Sequence, residues 1–576
     1  MSATILVHHL ESHGLELVSD RHKYRKVVAR RLLKKGSVVI SSRPLCNPVI
    51  FPTHRSQHCE TCFRNRDSSS SSTKPPIDLE RCSVCKKRYY CDRSCFTVAW
   101  KGWHKWICPV KTEAEDLDYE MLKMIVMSVE RLQNGTYNET EDASALAAVE
   151  ALSRGTPVNR ETLELTAYVF STLVGHESVS NPALLTKYKN IAMQIREQLI
   201  SSKFPFKSEV SQRRKDRLET EGAGGAGAPP SVAELVQYLC RFHCNNFSIH
   251  DSQLFTMAEG TFPIGALFNH SCRPNAIVMY EGKVQIVRAL EDIEVGQEVC
   301  TSYVDNGVQR AERRQLLREK YFFDCLCPRC GDEPQEQQQQ RQDDHTMEET
   351  AGSLGNKGRM RKTGFRILDD LIEGSQDGAD GKVEGEWLTK QFETIILPGA
   401  RSLQVVGPSL KPPSTITRAS FTSYIIHSLV PLIQTNAPSQ VYTERLFEIY
   451  DVLQTTPHCT PKPFTTTVMT NATSFFNTCL EHQSWSLASK IGTFVLALYL
   501  MIYPRHHPLV GLHCFTLAKS LWNDVDGGMT SVRLSHEILK LSRNILWVSH
   551  GTKGENSALV REVEEFMKTV ETELGA

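Results

Sequence analysis

Asn269-His270-Ser271-Cys272-Arg273-Pro274-Asn275 and, after it, Glu298-Val299-Cys300-Thr301-Ser302-Tyr303 decide the fold of this 576-residue chain. Between them, Ala276-Ile277-Val278-Met279-Tyr280, the turn Glu281-Gly282-Lys283 and Val284-Gln285-Ile286-Val287 spell a β-hairpin. Just downstream stands Cys325-Leu326-Cys327-Pro328-Arg329-Cys330, and far upstream eight Cys and His residues lie between Cys59 and Cys108. A seven-residue motif alone is a common loop. Its order relative to the second motif and the two cysteine clusters is far more specific.

Cys325, Cys327 and Cys330 supply three ligands where a structural zinc takes four. No fourth Cys or His follows closely, so the last ligand comes from elsewhere; Cys272, Cys300, Cys244 and Cys240 all qualify. Upstream, Cys59-x2-Cys62, Cys82-x2-Cys85, Cys91-x3-Cys95 and His104-x3-Cys108 give seven thiols and one imidazole. A CxxC turn aims two thiolates at one ion, and x3 spacing sets Cys91 with Cys95, and His104 with Cys108, one helical turn apart. Eight ligands fill two closed tetrahedral sites, which are structural rather than catalytic. Spacing alone leaves open which pairs share an ion. Lys86, Lys87, Arg88 and Arg93 read as a basic surface beside these ligands, and most such runs are a solvated face.

The bulk numbers exclude several classes. Charges balance to +0 with pI near 7.3, so no global basic field points to nucleic acid or membrane, and a zinc-finger DNA-binding factor would carry more positive charge. The apolar run after Met1 is too short for a secretory signal. The longest mostly apolar stretch, Ile491 to Tyr503, is 13 residues and reads as a buried helix, since a bilayer takes roughly 20. Eighteen cysteines without a signal point to zinc rather than disulfides, and to a cytoplasmic and nuclear address.

Four segments read as inserts or linkers: Asp67 to Pro76, Lys215 to Pro230, Asp332 to Lys362 and Gly374 to Gly385. Lys26-Val27-Val28-Ala29-Arg30 and Ser37-Val38-Val39-Ile40-Ser41 read as strands around a Lys35-Gly36 turn, and Asp118 to Lys203 as helical. Leu534, Ile538, Leu541, Ile545 and Val548 mark one helix face, and helix-sized blocks from Phe421 to Leu574 suggest stacked pairs of an α-solenoid. No repeat is sharp enough to fix the class from spacing.

In their order, these motifs resemble the SET and MYND domain family of protein-lysine methyltransferases, over Val27 to Gly331 and more loosely through the C-terminal helices. Cys244-Asn245-Asn246-Phe247-Ser248-Ile249 also resembles the segment before the family's catalytic core, and Tyr503-Pro504-Arg505-His506-His507-Pro508 its C-terminal domain. The resemblance implies an α+β multidomain fold. A β-rich SET core is split by a MYND zinc finger and a helical insertion, then followed by a post-SET zinc segment and an all-α, tetratricopeptide-like C-terminal domain. The expected boundaries are 1–57 for the first part of SET, 58–108 for the finger and 109–240 for the insertion, flexible at 215–230. They continue with 241–305 for the catalytic core, 306–331 for the post-SET segment, 332–362 for a disordered linker and 363–576 for the helical domain.

It implies site roles too. Cys59, Cys62, Cys91 and Cys95 would share one zinc, Cys82, Cys85, His104 and Cys108 a second, and Cys272 would close a third with Cys325, Cys327 and Cys330. Tyr303 would be the catalytic tyrosine and Tyr321 the other wall of the lysine channel. Asn269 and His270, with Asn245 in support, would hold S-adenosylmethionine, and Phe323 would stack on its adenine. The expected substrate is a lysine of a histone tail or another protein, and a proline-rich peptide is the expected partner of the finger. The family's Gly-x-Gly cofactor turn is replaced by Tyr24-Arg25-Lys26, with Ser12-His13-Gly14-Leu15 a nearby substitute and Arg25 a weak contact candidate. That loss motivates the alternative, a non-catalytic SET scaffold serving as a MYND-type adaptor.

Overall fold

The computed structural model describes residues 2–21, 23–66, 78–108, 116–133, 160–177, 180–202, 204, 229–308, 310–332, 466–552 and 557–575. Residues 67–77, 205–228, 333–362 and 374–385, which take in nearly all of the expected linkers, and the helix-sized blocks before Thr466 lie outside this set.

Helix α1 (Ser2–Ser12) stops at Gly14, whose φ of +75° a Cβ-bearing residue adopts only with strain. The Ser12 to Leu15 segment, the nearby substitute for the missing glycine turn, therefore serves in this structure as the end of α1. Gly14 caps the helix, and a Cβ there would strike the Arg31 side chain. Strands β1 (Leu15–Asp20) and β2 (Tyr24–Ala29) form an antiparallel hairpin, and β2 is buried on both faces at its end, through Val27, Val28 and Ala29. After the Gly36 turn (φ +78°), β3 (Val38–Ser42) does not return to β2. It becomes the third strand of a sheet with β10 (Ala276–Glu281) and β11 (Val284–Ala289), the hairpin legible in the sequence.

The chain leaves this core at β4 (Val49–Ile50) and re-enters it at β7 (Asn246–His250) and β8 (Thr256–Thr261), the three forming one sheet in the order β4-β8-β7. Everything between is inserted. The finger contains the hairpin β5 (Glu80–Arg81) with β6 (Tyr89–Tyr90) and the short helix α2 (Arg93–Ala99). The insertion follows as α3 (Leu117–Gln133), α4 (Arg160–Thr172), α5 (Pro182–Ser201) and α6 (Val232–Asn245). Ser231 and Glu234 make a reciprocal capping box at the start of α6. That helix runs past the expected boundary at 240, because no Gly or Pro interrupts it before β7 begins at Asn246.

The finger is fixed to the core by charge. Arg88 donates to Glu60 at 2.6 Å and to Glu120 of α3 at 2.6 Å, and Arg55 donates to Glu120 at 3.0 Å. Arg88 is 5% exposed, so it leaves the basic surface predicted for its neighbours.

The C-terminal helices α8 (Thr466–Glu481), α9 (Trp485–Ile502), α10 (Pro508–Trp522), α11 (Gly528–His550) and α12 (Ser557–Leu574) enclose their own core, with Ile491, Phe494, Val495, Leu517 and Ile538 fully buried. Helix α9 is the long apolar stretch, and no described helix is long and apolar enough to cross a membrane. The face of α11 is only partly the predicted one. Ile538 and Ile545 are buried, but Ser535 and Ser542 pack against α10, donating to the Ala518 and Gly511 carbonyls at 2.7 and 2.8 Å. The domain docks on the core where His550 meets the Ser252 carbonyl (2.8 Å), and where Val548 passes 3.5 Å from the position of a Cβ on Gly36.

Arg88→Met leaves the Glu60 carboxylate, 1% exposed, without its closest cation. The expected loss is about 3–5 kcal/mol in denaturant unfolding, and a Glu60→Gln, Arg88→Met pair should recover most of it.

Candidate active site and metal centres

Three groups of four ligands converge, each with its ligand atoms within 4.8 Å of one another: Cys59, Cys62, Cys91 and Cys95; Cys82, Cys85, His104 and Cys108; Cys272, Cys325, Cys327 and Cys330. These are the interleaved finger sites and the bridged third site that the family resemblance implies. Separations such as Cys62 to Cys91 (3.7 Å), Cys82 to Cys108 (3.7 Å) and Cys272 to Cys330 (3.6 Å) suit a tetrahedron of thiolates, whose edge is about 3.8 Å for a 2.3 Å zinc–sulfur bond. His104 turns Nε2 to Cys82 at 3.3 Å, and burial lowers its pKa to about 4, so the ring is neutral as a ligand must be. His104 and Cys108 do share a helical turn. Cys91 instead precedes α2, and Asp92, capping that helix through the Cys95 amide, sets it beside Cys95 at 3.4 Å.

Two arginines complete the all-cysteine sites, and no sequence spacing pointed to either. Arg64 donates to Cys62 and Cys91 at 3.5 and 3.3 Å. Arg313, fully buried on α7 (Arg310–Tyr321), donates to Cys272 at 3.3 Å and to the Val308 carbonyl at 2.6 Å.

The two opening motifs meet as parallel neighbours, β9 (Asn269–His270) beside β12 (Cys300–Thr301), with Asn269 opposite Cys300 and His270 opposite Thr301. Asn275 braces the pairing by donating to the Glu298 carbonyl (2.9 Å) and accepting the Cys300 amide (2.8 Å). Tyr303 follows at once. Its amide donates to His270 Nδ1 at 3.0 Å, so the neutral ring carries its proton on Nε2, which faces Cys272 Sγ at 3.2 Å. Its hydroxyl donates to the Phe268 carbonyl at 2.6 Å. Tyr321 lies with its ring centroid 4.9 Å from that of Tyr303, and Phe323 stands 6.4 Å from Tyr303 and 6.1 Å from His270. Burial raises the Tyr303 phenol well above its ordinary range; Tyr321 adds to the shift and the Arg25 charge opposes it. The phenol is therefore a protonated donor.

Asn269 donates its amide to the Arg25 carbonyl (2.7 Å) and to Glu298 (2.8 Å), and Glu298 also holds Lys23 at 2.6 Å. These bonds fix the turn that has lost its glycines. Tyr24 takes φ +62° there, the left-handed conformation that a glycine would adopt freely, at a cost of about 1–2 kcal/mol. Its side chain points outward, 91% exposed, and so does not block the inner side of the turn. Asn245, the last residue of α6, donates to the Val174 and Arg241 carbonyls at 3.2 and 2.8 Å, both within the insertion.

A cavity of about 600 Å³ is lined by Tyr303, Tyr321 and Asn245 together with Tyr503, His507 and Leu509 of the C-terminal domain, and Asn269, His270 and Phe323 are not among its lining residues. Three bonds hold these C-terminal residues in place: Tyr503 donates to Asp305 at 3.0 Å, and Arg329 donates to the Ile502 carbonyl at 3.4 Å and to the Asn306 carbonyl at 2.9 Å.

Metal analysis of the purified chain should give three zinc ions, and Cys272→Ser should give two, with the finger ions retained.

Residues 25–304 match the family model of the SET domain. The chain is 22% identical over 527 residues to histone-lysine N-methyltransferase ASHR1 of Arabidopsis thaliana, an alignment covering 91% of this chain and 90% of that protein. It is 29% identical over 317 residues to N-lysine methyltransferase SMYD2 of Mus musculus and 28% identical to SMYD2 of Homo sapiens, in each case over 55% of this chain and 60% of the relative. The match begins at Arg25, whose carbonyl accepts from Asn269 of β9, and ends one residue beyond Tyr303, which follows β12, the strand paired with β9. On this sequence match and this architecture, the chain is similar to the SET-domain proteins of the SET and MYND, or SMYD, type.

Proposed function

We propose that this chain is an S-adenosylmethionine-dependent protein-lysine N-methyltransferase acting on histone or other protein lysines. The observation that carries the reading is the neighbouring pair Tyr303 and Tyr321, which lines a large cleft and stands beside the Asn269, His270 and Phe323 cluster, itself outside the cleft lining. The methyltransferase names of the relatives point the same way.

The residues present suit the cofactor. Arg25 is substantially buried, which draws its pKa down, and no carboxylate among the described residues pairs with it. A desolvated guanidinium beside the turn fits the methionine carboxylate, and Phe323 offers a ring face for the adenine. The side chains of Asn269 and His270 are engaged within the protein, so their contacts to the cofactor would come from backbone groups. When bound, the cofactor supplies a methyl group on a sulfonium.

The chain supplies the geometry. Transfer to an amine is in-line, and a channel between two aromatic walls limits the approach, so alignment near 3 Å provides much of the rate. Tyr303, fixed at both its amide and its hydroxyl, keeps its proton and orients the incoming nitrogen without removing a proton from it. The intact tyrosine pair and the preserved turn conformation speak against the scaffold reading. We place the protein in cytoplasm and nucleus, where thiols stay reduced for zinc, and we assign a proline-rich peptide to the finger as its partner.

Calorimetric titration with S-adenosylmethionine should give micromolar binding. Tyr303→Phe should keep that affinity within a few-fold while lowering kcat by about 100-fold or more. Wild-type protein that binds no cofactor at millimolar concentration would overturn the reading.

A further inference from the structure

Lys320 is the one side chain of α7 besides Tyr321 that lines the cleft. A lysine in the last turn of a helix ordinarily reaches into solvent, where the helix dipole favours it. This one lies with Nζ 5.3 Å from the centre of the Tyr321 ring, in the cavity that also exposes Tyr303. The end of α7 fixes it there: Phe322 turns left-handed (φ +59°) and stacks on His176 of the insertion at 4.8 Å, which leaves Lys320 and Tyr321 facing the cleft.

Among the described residues the ammonium has no ion pair. Glu259 of β8 is the carboxylate whose charge it feels, but it lies beyond ion-pair distance and accepts instead from Asn246. From α6, the Cys244 thiol and the His243 ring face it; from its own helix, the Tyr321 ring. Burial lowers the Lys320 pKa, and Glu259 and Cys244 act in the opposite direction.

Methyl transfer needs the substrate amine neutral. A free lysine has a pKa near 10.4, so at pH 7.5 only about one in a thousand carries the required lone pair. The buried phenols of Tyr303 and Tyr321 are both shifted upward, and neither can take the proton. We propose that Lys320 is a positioning residue that acts by charge: its ammonium beside the channel destabilises the protonated form of the incoming lysine and so raises the fraction ready to react. The proton leaves to water in the cleft. The N–C bond then forms as the sulfonium C–S bond breaks, with that electron pair staying on sulfur. At several Å in a partly desolvated cleft, one unit charge lowers a neighbouring amine's pKa by about one unit. The inference rests on the methyltransferase reading.

The test is the pH dependence of kcat for full-length wild type, Lys320→Met and Lys320→Arg, with tritiated S-adenosylmethionine and recombinant core histones as acceptor. Removing the cation raises the pKa of the bound amine. In Lys320→Met the rising limb should therefore move up by about one pH unit and kcat at pH 7.5 should fall about tenfold, while KM stays level or falls because the protonated lysine is no longer repelled. Lys320→Arg should restore the limb. An unmoved limb in Lys320→Met, with wild type active, overturns the assignment. A parallel loss in kcat and KM that arginine does not rescue also overturns it, because it marks a packing role. Unchanged unfolding midpoints rule out a folding defect. Wild-type protein that transfers no methyl group to any acceptor overturns the underlying reading, and this one with it.

Discussion

Cys272 holds the active centre together. It closes the third ligand cluster with Cys325, Cys327 and Cys330, accepts from the buried Arg313, faces the proton-bearing nitrogen of His270, and through its carbonyl accepts from Arg329. Each of those partners reaches a different part of the molecule: α7, Tyr303, and the end of α9. Four thiolates at such separations repel unless an ion lies among them. Structural zinc contributes on the order of 10–16 kcal/mol of binding free energy, which in such a site is folding free energy. With an ion bound among these four cysteines, that energy would hold the Tyr321 to Phe323 run against Tyr303.

The same electrostatic bookkeeping explains the two arginines. A divalent ion held by four thiolates carries net negative charge, and a buried charge needs a partner. Arg64 and Arg313 sit against the two sites built from cysteine alone. They are as much a part of those centres as the ligands are, since they orient the sulfurs and offset the charge.

The finger ligands and the Cys325, Cys327 and Cys330 run were legible from their spacing, whereas the grouping of the ligands, the choice of Cys272 and the aromatic trio came from the family resemblance that the motif order carries. The hairpin between the motifs was legible from its turn, and α9 from its apolar run. What could not be read was where charged and small side chains go. Arg88 stands in a basic run that looks solvated, yet the fold turns it inward to Glu60 and to Glu120, 32 positions away. Asn275 lies inside a quoted motif but acts on the backbone of Glu298 and Cys300, across a strand pairing visible only in three dimensions. The face of α11 uses Ser535 and Ser542, to which hydrophobic periodicity is blind. The missing glycines were read correctly as a departure in composition. Their backbone conformation persists at Tyr24, since residue identity biases φ without dictating it.

The pairing of β3 with β11 has a consequence for biogenesis. Ile40 meets Val287 only after the finger and the whole insertion have been synthesised, so loop-closure entropy is set against this sheet until late in translation. Emerging from the ribosome, the finger with its two local ion sites is complete long before the core that flanks it. Metal supply during synthesis thus governs whether the early strands wait beside a folded, charge-paired module or beside loose thiols. The severed core makes this chain's yield in a cell a matter of timing as well as of stability.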